Sequence, residues 1–284
     1  MDASTADPGH GAGEYAQECR VAVRAAEDAG ALLRSRFHGA FRVDAKGADG
    51  DVVTELDLLA EELLTRRLAG RFPADRIRAE EGGGRPGAPG ARRTWLVDPL
   101  DGSNNVVIGL PAYVVGVALC VDDEPVLGVV HDPVAGHTWR AVRGAGAYGP
   151  AGRLRAPARP LRAARPVLGW TQGHGVPAGD PVARALKDAL EAGAGRVLQL
   201  WAPLLTWSLL ARGLIDGFVG HRAEEIDLPA GLLLATEAGL EVRTLDGGPF
   251  SARTGRPEAA RSYVAARPEA LPYLLDLVAR ASAG

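Results

Sequence analysis

The sequence predicts an α/β (or α+β) fold in which strands and helices stack in layers. Three observations predict it. Short apolar runs of strand length alternate with helix-length amphipathic segments in both halves of the 284 residues, so neither half reads as all-helical or all-strand. Hydrophobic residues make up 46% of the chain and charged residues 24%, the balance of a globular protein with ample core. No segment reaches the apolar length of a membrane-spanning helix, and no internal repeat points to a solenoid.

Residues 1–13 carry neither a basic start nor an apolar stretch and read as a disordered tail, not a signal peptide. Residues 14 to about 38 place Tyr15, Cys19, Ala22, Val23, Ala26, Ala29 and Leu33 at helical spacing. Phe41 to Val43 reads as a strand, and A-K-G-A-D-G-D-V-V-T-E-L-D as a polar turn entering a second helix. On that helix Leu58, Leu59, Leu63, Leu64 and Leu68 form the apolar side, beside Asp57, Glu61 and Glu62. Arg76 to Ala79 is a short strand ending at Glu80-Glu81. The Gly/Pro-rich segment Gly82 to Arg93 cannot form a regular element and is expected to be mobile.

Trp95-Leu96-Val97 reads as a buried strand. Tyr113 to Val121 and Pro125 to His131 pair around Asp122-Asp123-Glu124, Thr138 to Val142 adds a third strand, and R-G-A-G-A-Y-G-P-A-G-R-L-R is a turn-rich hairpin. The Arg/Pro/Ala-rich residues 151–166 mark a boundary between two lobes, about 14–155 and about 156–284, of one domain. The second lobe reads as strand Val167 to Trp170, helix 181–192, helix Thr206 to Arg212, strand Leu214 to Val219, helix Leu228 to Ala238, strand Leu240 to Thr244, strand Ser262 to Ala266 and helix Pro268 to Ala281.

The chemistry is densest in W-L-V-D-P-L-D-G-S-N-N-V-V-I-G-L-P, residues 95–111. Two acids at the end of a buried strand need partners. Pro99 removes a backbone donor and extends Asp98. Gly102 permits a tight turn and close approach by a ligand, and Ser103, Asn104 and Asn105 favour a helix start. Carboxylates suit Mg²⁺, and the free N–H groups of a helix start suit a phosphate. Ordinary turn chemistry also explains D-P-x-D-G. Other acids stand at Asp57, at Glu80-Glu81 and at Asp227. Singly, each has a plain explanation: a helix-surface acid, loop acids, and a helix cap.

Together they resemble a known family. W-L-V-D-P-L-D-G-S-N-N-V-V-I-G-L-P is similar to the W-x-x-D-P-[IL]-D-G-T-x-N-[FY]-x-x-G-x-P of the inositol monophosphatases, Mg²⁺-dependent, lithium-sensitive phosphomonoesterases. R-A-E-E-G, D-V-V-T-E-L-D, I-D-L-P-A-G-L-L-L-A-T-E-A-G, G-V-V-H-D-P and R-G-A-G-A-Y resemble the family's other motifs, in family order, from about residue 15 to 280. The resemblance implies a layered αβαβα sandwich, shared with fructose-1,6-bisphosphatases. It implies two or three Mg²⁺: Glu80, Asp98 and the carbonyl of Leu100 for one, Asp98, Asp101 and Asp227 for a second, Glu80 with Asp57 nearby for a third. Ser103, in place of threonine, would orient the attacking water with Glu80. Gly102, Ser103 and Asn104 would offer N–H groups to phosphate, and Lys46 would lie near the active site. It further implies a small phosphate ester as substrate and a homodimer. Fructose-1,6-bisphosphatase-like or histidinol-phosphatase-like activity, or a non-catalytic phosphate-binding relative, are the alternatives.

The substrate pocket departs from the family. Trp201-Ala202-Pro203 stands where many members carry Gly-Ser-Ala, and Gly220 stands where they carry a polyol-binding glutamate. Trp201 reads either as core or as a surface for stacking on a flat group. The net charge of −3 gives no reason to expect nucleic acid or membrane as partner. Two cysteines without metal spacing fit a reduced, cytoplasmic setting. The six histidines, among them His131, His174 and His221, are expected in surface or structural roles, and neither cysteine has the surroundings of a nucleophile.

Overall fold

The computed structural model describes residues 13–46, 51–156 and 166–281. Helix α1 (Ala16–Arg36) is followed by strands β1 (Val43–Lys46) and β2 (Asp51–Thr54), and by helix α2 (Glu55–Arg71). Strands β3 (Arg76–Ala79) and β4 (Arg93–Asp101) lead to the short helix α3 (Ser103–Val107). Then come β5 (Val114–Val121), β6 (Glu124–Asp132), β7 (His137–Val142), β8 (Gly146–Gly149) and β9 (Gly152–Leu154). The remainder is β10 (Val167–Gln172), α4 (Pro181–Gly193), β11 (Arg196–Leu198), α5 (Pro203–Ala211), β12 (Gly217–His221), α6 (Leu228–Glu237), β13 (Glu241–Arg243), β14 (Tyr263–Ala266) and α7 (Leu271–Ala281).

Two large sheets result, one of seven strands in the order β3-β4-β5-β6-β7-β8-β9 and one of five in the order β11-β10-β12-β14-β13. Helices α1 and α2 pack on one face of the first, α5 and α6 lie between the sheets, and α4 and α7 cover the far face of the second. That is the αβαβα layering the resemblance implies. Each interface has its own apolar cluster, with Trp95, Val117 and Leu64 in the first, Trp207, Phe218 and Leu234 in the second and Trp170, Leu186 and Leu274 in the third. Strands β5 and β6 are buried on both faces, which is why they read as continuous apolar runs instead of alternating ones.

Several boundaries differ from the sequence reading, for local reasons. The polar turn before α2 contains strand β2, paired antiparallel with β1. The four-residue strands Val43–Lys46 and Asp51–Thr54 leave little apolar run to read. The buried side of α2 is Leu56, Ala60, Leu64 and Leu68, with Asp57 and Glu61, whereas Leu58 is exposed. A capping box fixes that rotation: Thr54 accepts the N–H of Asp57, and Asp57 accepts the N–H of Thr54. The Gly82 to Arg93 segment is tied to the body: Ile77 and Arg85 exchange both backbone hydrogen bonds, Gly83 is held by Glu61, and Arg93 already belongs to β4. Helix α5 begins at Pro203, three residues before Thr206, with the proline in its first turn where no donor is needed. Strand β11 is too short to show a period. Residues 1–12 of the expected tail and most of the expected lobe boundary (157–165) lie outside the described residues.

Candidate active site

Strand β4 delivers the first two acids. Its register against β5 shifts between Asp98 and Asp101, where Pro99 lacks a ladder donor. Asp98 Oδ1 accepts the N–H of Leu100 at 3.0 Å. Asp101 Oδ2 accepts the N–H groups of Leu204 (2.7 Å) and Leu205 (3.2 Å), two of the donors left open in the first turn of α5. The third acid comes from the other half of the chain. Asp227 stands at the N-cap of α6, yet its side chain makes no capping hydrogen bond there. It turns instead towards β4, so that one carboxylate oxygen each of Asp98, Asp101 and Asp227 lie within 4.8 Å of one another. The helix-cap explanation of Asp227 therefore fails.

All three are buried. Burial, then repulsion from Glu80, Asp101 and Asp227, pushes the Asp98 carboxyl well above the usual range. Burial and Asp227 push Asp101 up likewise, and burial and Glu80 push Asp227 up to about 7. Three buried carboxylates that repel one another, all hard oxygen donors, fit a divalent cation such as Mg²⁺. Glu80 lies just outside this trio, at the end of β3, with its N–H on the carbonyl of Val97 at 3.2 Å.

Lys46, from β1, donates to Glu80 at 2.8 Å and Glu81 at 2.7 Å. Burial alone would lower its pKa, and the carboxylates outweigh burial and hold it above the ordinary lysine value. Asp57 is buried at the start of α2, not on its surface. Its Oδ2 takes the Thr54 hydroxyl and its Oδ1 takes the Ser103 hydroxyl, each at 2.5 Å. Ser103 Oγ also lies 3.0 Å from the carbonyl of Leu100. A hydroxyl has one proton, so these two acceptors compete for it. Gly102, at φ 113°, turns the chain into α3 in a region that side chains avoid. The N–H groups of Ser103 and Asn104 have no partner among the described residues. A pocket of about 40 Å³ brings Glu80, Asp98, Leu100, Asp101 and Asp227 together with Gly102, Ser103 and Asn104.

Beside it opens a larger pocket of about 520 Å³, lined by Asp51, Asn104, Gln172, His174, Gln199, Trp201 and Glu224 among others. Trp201 is 55% exposed and so is not core. It sits at φ 53°, a left-handed conformation that costs a non-glycine residue about 1–3 kcal/mol. Two expected pocket residues are not there. Ala202 is buried, with its carbonyl taken by Thr206. Gly220 is buried in β12, and a Cβ on it would lie 2.4 Å from the Tyr263 ring, so that ring fills the space a side chain would need. His174 is not a bystander either: its Nδ1 pairs with Asp51 at 2.8 Å. That hydrogen bond, against the lowering effect of burial, raises His174 to about 9.

Asp51, His174, Gln199 and Glu224 escaped the sequence reading. Strands β11 and β12 both run parallel to β10, and His174, Gln199 and Glu224 closely follow the C-terminal ends of β10, β11 and β12. Crevices at the carboxyl ends of parallel strands are where open sheets bind ligands. That signal needed the three strands recognised as parallel neighbours, and β11 was not recognised. Cys120, with its thiol pushed up to about 12 by burial, is no nucleophile.

The model of the inositol monophosphatase family matches residues 14–281. The chain belongs to the inositol monophosphatase family. It is 35% identical over 272 residues to an inositol-1-monophosphatase of Mycobacterium leprae, covering 92% of this chain and 88% of that one. It is 31% identical to a fructose-1,6-bisphosphatase/inositol-1-monophosphatase of Thermotoga maritima, covering 77% and 81%. The fold is similar to that of the extragenic suppressor protein SuhB from Bartonella henselae, with a TM-score of 0.81 and 26% identity over 91% of this chain and 97% of that one. As an inositol monophosphatase family member the chain is a phosphoric monoester hydrolase. Among the described residues no helix is long and apolar enough to cross a membrane.

Proposed function

We propose that the protein hydrolyses the phosphate monoester of a small alcohol, with Mg²⁺ held by Asp98, Asp101, Asp227, Glu80 and the carbonyl of Leu100. The observation that supports it most is the meeting of Asp98, Asp101 and Asp227, from two distant parts of the chain, beside the Gly102–Asn104 turn. Bound there, Mg²⁺ supplies charge neutralisation for the phosphoryl oxygens and lowers the pKa of a coordinated water.

The chain's own groups do the rest. The N–H groups of Ser103 and Asn104 receive phosphate oxygens. Asp57 Oδ1, at 2.5 Å, holds the proton of Ser103 Oγ. The hydroxyl oxygen therefore presents lone pairs, accepts a hydrogen bond from the attacking water and leaves the Leu100 carbonyl open as a ligand. Glu80 orients the same water, and Lys46, donating to it at 2.8 Å, holds Glu80 in place. Asp101 fixes the first turn of α5 and with it the Trp201 wall of the larger pocket. Two ions follow from these ligands, and Glu80 near Asp57 leaves room for a third, weaker site.

The same reading treats residues 14–284 as one two-lobed phosphatase domain of a homodimer working in the cytoplasm. Exposed apolar Val107, Ile108 and Leu110, grouped in one segment beside the site, support association. A monomer mass by light scattering removes that part. The test of function is phosphate release from inositol, fructose, histidinol and nucleoside phosphates, with and without Mg²⁺, beside Asp98→Asn. Mg²⁺-dependent release lost in the variant is expected. Silence of the folded protein across the panel overturns the proposal and leaves a non-catalytic phosphate-binding relative.

A further inference from the structure

The larger pocket has an unbalanced charge and an exposed indole, and both face the place where the alcohol half of a phosphate ester would lie. Its charged lining is Asp51, His174, Glu224 and Asp227. Asp227 belongs to the acid trio. Asp51 is spent: Oδ2 pairs with His174 at 2.8 Å, and Oδ1 accepts Val52 N at 2.9 Å and Asn104 Nδ2 at 3.3 Å. The two charges of that pair cancel. Glu224 remains. Its Oε1 accepts the N–H of His174 at 2.9 Å, and its Oε2 has no partner among the described residues. Among the described residues no arginine or lysine lines the pocket, and Lys46 is engaged by Glu80 and Glu81, Arg222 by Glu258 and Arg78 by Glu225. The surplus charge is therefore one carboxylate.

The same pocket is lined by Trp201, exposed while the other four tryptophans are buried. A carboxylate and an aromatic face in one cavity make a receptor for an organic cation. A second phosphate would meet Glu224 with no counter-charge. Gly220 offers nothing to a polyol, since Tyr263 occupies the space beside it. We propose that the alcohol half of the substrate carries an ammonium group, held by Glu224 and the indole of Trp201: the protein acts on phosphorylated amino alcohols. This rests on the phosphatase reading of the same site.

A matched pair tests it: phenylalaninol phosphate against 3-phenylpropyl phosphate, which lacks only the amino group, with 3-phosphoglycerate as the anionic arm. The expected result is kcat/KM at least about tenfold higher for the amino ester than for its neutral partner, lowest for the anionic ester, with Glu224→Gln bringing the first ratio close to one. Equal values for the pair, or a ratio that persists in Glu224→Gln, overturn the inference while leaving the phosphatase standing. Tryptophan fluorescence of the unmodified protein gives a readout without turnover. Phenylalaninol is expected to change the emission more than 3-phenylpropanol does, and Trp201→Leu to abolish the change. That result without phosphate release from any ester would keep the ammonium site and discard the hydrolase. The same response to both alcohols, or none to either, counts against the ammonium site.

Discussion

The hydroxyl of Ser103 hangs on one proton and two acceptors. With Asp57 at 2.5 Å and Leu100 O at 3.0 Å, its oxygen is aimed by Asp57 and not by Glu80. Ser103→Ala is expected to lower kcat by about 10²-fold or more with little change in KM, the span of a lost proton-handling group, and Ser103→Thr to retain most of the rate. Steady-state kinetics on any ester that the protein hydrolyses separates the two. Gly220 makes a second prediction. Gly220→Ala is expected to destabilise by about 1–3 kcal/mol through overpacking against Tyr263, and to cost less in a Tyr263→Leu background. A double-mutant cycle in urea measures that difference, and independent costs would show that the ring is not what fills the space. At this scale the acids stood out only in combination: singly each has a plain explanation, and the resemblance of residues 95–111 to a family motif is what joined them. His174 and Glu224 did not stand out, because nothing in T-Q-G-H-G or H-R-A-E-E marks them until the fold brings them to one pocket.

Helix α2 does more than cover a sheet. Its buried Glu61 accepts the N–H of Glu81 at 2.7 Å and that of Gly83 at 2.6 Å, and so fixes the turn that carries Glu80 and Glu81. Glu61→Gln replaces one acceptor by a donor. It is expected to cost about 1–3 kcal/mol, to speed hydrogen exchange at Glu81 and Gly83, and to weaken Mg²⁺ binding through Glu80. Exchange unchanged at those two amides would show that the turn holds without it. The helix itself was readable from its leucines, but its rotation was not. Thr54 and Asp57 form a capping box that turns Leu58 out and Asp57 in, and a run of leucines on several sides leaves that choice open. The hairpin of β1 and β2 was missed for a related reason: four-residue strands are stabilised by their pairing and by the Lys46 contacts, which a local window does not contain.

In the whole molecule, the acids of the site oppose the fold that gathers them. Asp98, Asp101 and Asp227 all hold their protons to higher pH folded than unfolded, Asp227 to about 7. The folded state then binds more of these protons than the unfolded one, so the trio's contribution to metal-free stability is most favourable at and below the unfolded carboxylate value, about pH 4. It declines as pH rises towards about 7. Thermal melts of the metal-free protein should therefore fall from pH 5.5 to 8, with Mg²⁺ raising the midpoint more at pH 8 than at 5.5. An equal rise at both values would mean that the trio does not take the ion.

By itself the sequence determined the layered α/β class and the family and singled out the acids of the candidate site, because apolar runs of strand and helix length and a long uninterrupted motif are local properties of the chain. The tertiary structure alone decided which acids meet, that Asp227 turns from its helix to the trio, that Tyr263 closes the space at Gly220, and that Glu224, His174 and Trp201 share one pocket. Those outcomes depend on the parallel register of β10, β11 and β12 and on α5 and α6 packing between two sheets. They join residues from about twenty to more than a hundred positions apart, at distances that no local spacing encodes.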